Sequence, residues 1–213
     1  MKENLKKYLV EFIGTFFLVF TVGSSILFGG SGVIPAIAIG FSLMIMVYAG
    51  GFISGGHYNP AVSLAAVIRG ALPFSQWFPY AVAQIVGGVV AAFCVNCIIS
   101  PETYLRGADF SLPGLILGEF LYTYALCYVV LLTATAKSVN GNSYYGLAIG
   151  ATVTVGIFAV GGTICAGAFN PAVAIALGIM HAAFWKMVAI TVITNLIAAI
   201  AAGITFKTVA YKE

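Results

Sequence analysis

Apolar residues in this chain do not alternate with polar ones; they run on. Six such runs, approximately 8–28, 34–52, 78–99, 112–134, 144–161 and 184–206, approach the roughly 20 residues a helix needs to cross a hydrocarbon core of about 30 Å. Backbone N–H and C=O groups must find partners inside lipid, so each run is predicted to be a helix. Two further apolar stretches, 59–69 and 170–180, are too short to span. As helices they would reach about 16 Å. Each follows a Gly-rich loop, GGFISGGHY before the first and GGTICAGAF before the second. Irregular backbone at membrane depth is tolerated only where it lines a cavity or is buried in protein, so both stretches are predicted to be half-helices that dip into the membrane and return.

Composition agrees. The 213 residues are 62% hydrophobic and 7% charged, against about 25% charged in a soluble domain. The expected fold is therefore an all-α membrane protein with six transmembrane helices and two re-entrant half-helices, in contact with membrane lipid. A net charge of +3 comes mainly from terminal lysines and does not suggest nucleic acid. With the N-terminus inside, Lys2, Lys6, Lys7, Arg69, Lys137, Lys207 and Lys212 are cytoplasmic and only Arg106 and Lys186 lie outside, the bias that the positive-inside rule rewards. Both termini are thus expected in the cytoplasm. Met1–Lys7 is basic, but the run after it is too long for a signal peptide and reads as a first span.

The chain repeats. EFIGTF from Glu11 is echoed by EFLYTY from Glu119, and Trp77 by Trp185, both at a shift of 108 residues. Three spans separate the halves, so the second enters from the opposite side. One domain, 1–213, is expected, made of inverted repeats 8–99 and 112–207. Asn-Pro-Ala opens each half-helix, at Asn59, Pro60 and Ala61 and again at Asn170, Pro171 and Ala172. Asn is a strong N-cap and Pro is favoured at the first helical position. A cap oxygen that accepts backbone N–H leaves its side-chain NH2 to donate. Two such amides would face one another across a central passage, each beside a helix end carrying about half a positive charge. That arrangement suits neutral solutes and opposes ions.

The paired tripeptides, the stretch SGGHYNPAV, the matched EF…T starts and the six-plus-two pattern resemble the aquaporin (major intrinsic protein) family over nearly the whole chain. Half-helix dipoles that exclude protons and cations are the established device of aquaporin-type pores. The resemblance implies a passive membrane channel for water and small uncharged solutes. It also implies a homotetramer with one pore per protomer in the cell (plasma) membrane. A second, outer constriction is implied at Ile39, a fifth-span residue, Gly167 and Val173. Counting from the GG at Gly161 places the fifth-span residue at Phe158; counting from Ile149 places it at Ile157. The family usually has arginine where this chain has Val173. A repacked loop with Tyr48 or Arg106 filling that gap is the alternative. Otherwise the ring is apolar and wide, its polar surface being the carbonyls of Ile164, Cys165, Ala166, Gly167 and Ala168, and it would favour glycerol, urea, neutral organic acids or metalloid hydroxides.

Glu11 and Glu119 are intramembrane carboxyl groups at equivalent positions, and the resemblance implies that they accept hydrogen bonds from the re-entrant loops. Gly55, Gly56 and His57 are implied to supply loop carbonyls. Cys165, five residues before Asn170, suggests a mercurial-sensitive thiol near the passage. His181 is expected on the outer surface. Gly87, Gly88 and Gly203 suit close helix packing. The CxxC of Cys94 and Cys97 lies in an apolar run and reads as packing. No metal, cofactor or nucleophile–base constellation stands out, so an enzyme is not expected. An ion-coupled secondary transporter also uses inverted repeats and broken helices, but the expected midplane carries two asparagines and no ionisable group. A structural membrane protein with a closed pore is the remaining alternative.

Overall fold

The computed structural model describes residues 2–27, 32–98 and 110–210. Helix α1 spans Lys2–Leu27, α2 Ile34–Ser54, α3 Pro60–Arg69 and α4 Phe74–Ile98. The second half repeats the order: α5 Leu112–Val130, α6 Tyr145–Val160, α7 Pro171–Ile179 and α8 Trp185–Val209. Every predicted run and both half-helices are present, with ends within a few residues of the reading except at the start of α1. Among the described residues, five helices are long and apolar enough to cross a membrane, α5 counting with its extension to Thr135. The shorter α6, 16 residues, measures about 24 Å. Five residues of π-helix, Leu131–Thr135, prolong α5. Arg106 and Lys212 fall outside the described residues.

Packing follows the repeat. α1 lies against α2 and α4, and α5 correspondingly against α6 and α8. The half-helices are exchanged: α3 packs on α8 and α7 on α4, while α2 and α6 pack on each other at the junction. Such contacts lack a strong hydrophobic drive in lipid and depend on close approach at small residues. A β-carbon on Gly87 would run into the carbonyl of Phe12, and one on Gly203 would sit 2.7 Å from the Ile68 side chain. Large apolar side chains such as Phe17, Phe41, Phe93 and Ile193 are exposed on the outside, as a lipid-facing belt requires. Polar residues occupy the interior instead: Glu11, Gln84, Glu119 and Asn195 are all fully buried.

Arg69 ends α3 and fastens its C-terminal end. Its guanidinium donates to the hydroxyl and carbonyl of Thr135 at 3.0 and 2.8 Å and lies 4.8 Å over the Phe206 ring.

Candidate functional site

Two loops and the half-helices they lead into build the centre. Asn59 is in extended conformation and its side-chain oxygen accepts from Ala61 N–H at 2.8 Å and Val62 N–H at 3.4 Å. Asn170 caps α7 in the same way, accepting from Ala172 N–H at 2.9 Å. Pro60 and Pro171 follow at the first helical positions, where the missing N–H costs nothing.

The amides are not left wholly free. Asn59 Nδ2 donates to the carbonyl of Phe169 at 2.8 Å, and Asn170 Nδ2 donates to the carbonyl of Tyr58 at 2.9 Å. Each asparagine thus grips the residue that precedes the other. This reciprocal clasp brings the two motifs together in the protein interior, both side chains 3% exposed. One hydrogen on each amide remains without a protein partner among the described residues. The clasp needs Tyr58 and Phe169 in the left-handed region, at φ 50° and 48°. Such strain costs of order 1–3 kcal/mol per residue. Side-chain packing holds them there: Tyr58 lies against Gly14 and Gly50, and Phe169 against Gly156 and Tyr122. Neither aromatic was singled out from sequence. The signal was present, since HYNPA and AFNPA both put an aromatic residue before Asn.

Each loop is anchored on a buried glutamate. Glu11 accepts from Ser54 Oγ at 2.7 Å, His57 N–H at 3.0 Å, Tyr58 N–H at 2.6 Å and Gln84 Nε2 at 2.8 Å. Glu119 accepts from Ala168 N–H at 3.0 Å, Phe169 N–H at 2.9 Å and Asn195 Nδ2 at 3.1 Å. Gln84 also donates to Ser63 Oγ at 2.9 Å, which in turn sits 3.1 Å from His57 Nδ1. Gln84 and Asn195 escaped the sequence reading because the tryptophans set a shift of 108. These two amides lie 111 apart, like Asn59 and Asn170.

A cavity approaches the clasp from each side. One, called outer because the sequence is expected to place it on the outward side, measures about 390 Å3, reaches to Asn170 and is lined by Ile39, Val173, Gly167 and the α6 residues Val153, Ile157 and Phe158. Among the described residues, Asn170 is the one lining it with a polar side chain. The inner one, about 530 Å3, reaches up to Gly55 and His57 and is bordered by Lys7, Gln76 and Thr135. Gly56 is buried between them in sequence with φ 63°.

Several residues sit differently from expectation. The two alternatives for the fifth-span position, Phe158 and Ile157, both line the outer cavity; Phe158 is 52% exposed, and Ile157 is half-buried and shares a helical face with Val153 and Gly161, four residues either side. The carbonyl stripe is shorter than Ile164–Ala168. Ile164 is 43% exposed and its carbonyl lies beside Gly114 at the start of α5, while the Cys165 carbonyl accepts from Gly162 N–H at 2.8 Å. Ala166, Gly167 and Ala168 are the part that lines the cavity. Tyr48 does not fill the place opposite Val173: its hydroxyl donates to Ser143 O and accepts from Leu147 N–H, both at 3.0 Å. Arg106 lies outside the described residues. Cys165 is fully buried, with its sulfur turned towards Gly118, away from the outer cavity. A mercurial is therefore expected to act no differently on Cys165→Ser than on the parent protein. Flux assays with and without reagent check this, and selective protection by the substitution would show the thiol to be reachable. His181 is exposed at the end of α7.

Comparison with known proteins agrees with this architecture. The family model described as "Major intrinsic protein" matches residues 1–206. A glycerol uptake facilitator protein-like 6 from Lactiplantibacillus plantarum is 36% identical over 177 residues, covering 79% of this chain and 81% of that protein. A probable aquaporin NIP-type from Nicotiana alata is 33% identical over 176 residues, covering 79% of this chain and 64% of its own length. The chain thus spans a little under two-thirds of that plant relative. The X-ray structure of the aquaglyceroporin from Plasmodium falciparum superposes with a TM-score of 0.80 at 18% identity, covering 97% of each chain, which establishes the shared fold. With a family match over residues 1–206 and two asparagine-capped half-helices meeting among five long apolar helices and the shorter α6, this chain belongs to the major intrinsic protein family.

Proposed function

We propose that the protein is a passive membrane channel for water and small uncharged solutes of the glycerol, urea or metalloid-hydroxide type. Its outer constriction is apolar and lacks arginine. The observation that carries this reading is the outer cavity, which meets the clasp at Asn170 and offers Val173 where a charged donor would narrow it. The relatives named for aquaporin and glycerol uptake functions support the same class of solute.

In this reading the remaining hydrogens on Asn59 and Asn170 donate to the oxygen of a passing solute, and the amino ends of α3 and α7 repel cations. Ile39, Gly167 and Val173 form the constriction with a residue of α6, for which the face shared with Val153 favours Ile157 over Phe158. Free carbonyls of Ala166–Ala168 accept from hydroxyl or amine hydrogens. The protein sits in the plasma membrane as a homotetramer with its termini in the cytoplasm, residues 8–99 and 112–207 forming the two halves of one conducting domain.

Stopped-flow light scattering on proteoliposomes with a panel of neutral solutes tests this. Glycerol and urea are expected to equilibrate faster than in protein-free vesicles, at rates indifferent to proton or sodium gradients. Gradient-driven uptake would assign a coupled transporter, and no acceleration for any solute would assign a structural role.

A further inference from the structure

The guanidinium of Arg69 is only partly engaged. Its Nε and Nη2 donate to Thr135, out of five N–H donors in all, and its Nη1 group has no partner among the described residues. Two further cations stand beside it. Lys137 opens the short turn of helix two residues after Thr135, and Lys207 follows Phe206, the ring that faces the guanidinium. Both lysines are exposed. The acidic residues among the described ones are Glu3 in the first turn of α1 and the loop-bound Glu11 and Glu119. None of them pairs with Arg69, Lys137 or Lys207. Cations at helix C-termini are ordinary, but the repeat shows that the fold does not require these. At the shift of 111 that relates Asn59 to Asn170, Arg69 corresponds to Met180 and Lys207 to Asn96, whose amide donates to Ile179 O at 3.1 Å. Before Lys207, α8 turns Ile193, Ile197, Ile200 and Ile204 outward, all exposed and spaced to share one face. From Ile197 to Lys207 the helix rises about 15 Å, the depth of one leaflet of a core of about 30 Å.

We propose that this end of the seam between α5 and α8 is a seat for one anionic phospholipid. Its phosphate lies between Lys137 and Lys207 and accepts from Nη1 of Arg69, whose planar fork suits phosphate oxygens. One acyl chain follows the isoleucine stripe of α8 towards the midplane. A zwitterionic lipid offers the same phosphate but carries a cation of its own, which three like charges repel. An occupied seat steadies Lys137 and, through Arg69, Thr135, which borders the inner cavity. The seat does not depend on what the channel conducts, so the transport assay and the test below fail separately.

The test is native mass spectrometry of the purified protein, stripped of lipid in detergent and titrated with palmitoyl-oleoyl phosphatidylglycerol or phosphatidylcholine. The first phosphatidylglycerol is expected to bind at a concentration at least about tenfold below that of the phosphatidylcholine. A lysine near the membrane surface is worth about 1 kcal/mol towards anionic lipid. Lys207→Gln is therefore expected to weaken phosphatidylglycerol about fivefold, and Lys137→Gln combined with it about 25-fold. Lys6→Gln removes an exposed cation from α1 at the same end of the bundle and is expected to leave the titration unchanged. Arg69→Gln also removes the hold on Thr135, so the lysine variants carry the test. Dihexanoyl phosphatidylglycerol, which has the head but short chains, is expected to bind at least about tenfold more weakly than the long-chain lipid. Equal binding of the two long-chain lipids overturns the seat, as does a preference undiminished in the double lysine variant or a loss as large in Lys6→Gln. Equal binding of the dihexanoyl form also overturns it, because the site would then hold an anion and not a lipid.

Discussion

Val173→Arg lowers glycerol permeability at least about tenfold, equivalent to about 1.4 kcal/mol of added barrier, while most of the water permeability survives. The residue stands at 4% exposure in the wall of the outer cavity, one helical turn beyond Asn170. A guanidinium there brings five fixed donors and a permanent charge. The open carbonyls of Ala166–Ala168 are natural acceptors for it, so the side chain would lie across the cavity towards that loop. Bulky solutes would then lose both room and their acceptors, whereas water needs little of either. Val173→Leu separates the effects, since it takes up volume without charge and is expected to cost far less glycerol flux. Paired stopped-flow measurements of water and glycerol on the same vesicles decide the matter. Equal glycerol permeability in parent and arginine variant would place the constriction elsewhere.

Glu11→Ala is expected to abolish accumulation of folded protein, and Glu119→Ala to destabilise it severely but less. Removing the Glu11 carboxyl leaves two backbone N–H groups, a hydroxyl and an amide without their acceptor in a fully buried site. Each orphaned buried group costs about 1–3 kcal/mol, and the sum is comparable to the whole stability of a typical protein, about 5–15 kcal/mol. Glu119 serves two backbone N–H groups, one amide and the Cys165 thiol, and a thiol is only a weak donor, which sets the order. Yield of monodisperse protein in detergent and its thermal unfolding measure both. Unfolding temperatures unchanged by either substitution would mean that the loops hold themselves in place. Glu11→Gln and Glu119→Gln keep one acceptor oxygen and are expected to fall between.

Much of this was legible in the chain, because membrane crossing leaves a strong imprint. The apolar stretches 59–69, 78–99 and 184–206 lie within four residues of the ends of α3, α4 and α8, and Asn-Pro marks the starts of α3 and α7 at the residue. The glutamates stand out because a carboxyl group inside an apolar run is costly, and their place under the loops is what the family resemblance implies. What stayed hidden depends on how the chain returns to itself. That Asn59 binds the residue before Asn170, and the converse, is a property of two loops facing in three dimensions. Cys165 looked close to the passage by counting residues, yet the loop turns its side chain towards α5. The fifth-span position is open by one residue because counting along a loop carries no helical phase, and both candidates, Ile157 and Phe158, line the outer cavity.

The paired grip of Asn59 on Phe169 and of Asn170 on Tyr58 also limits where flow can be shut off. Moving either loop would break both bonds at once, so the midpoint behaves as a rigid collar. A shutter has to be sought at the ends instead, around Lys7 and Thr135 on one side or Pro35 and Phe110 on the other.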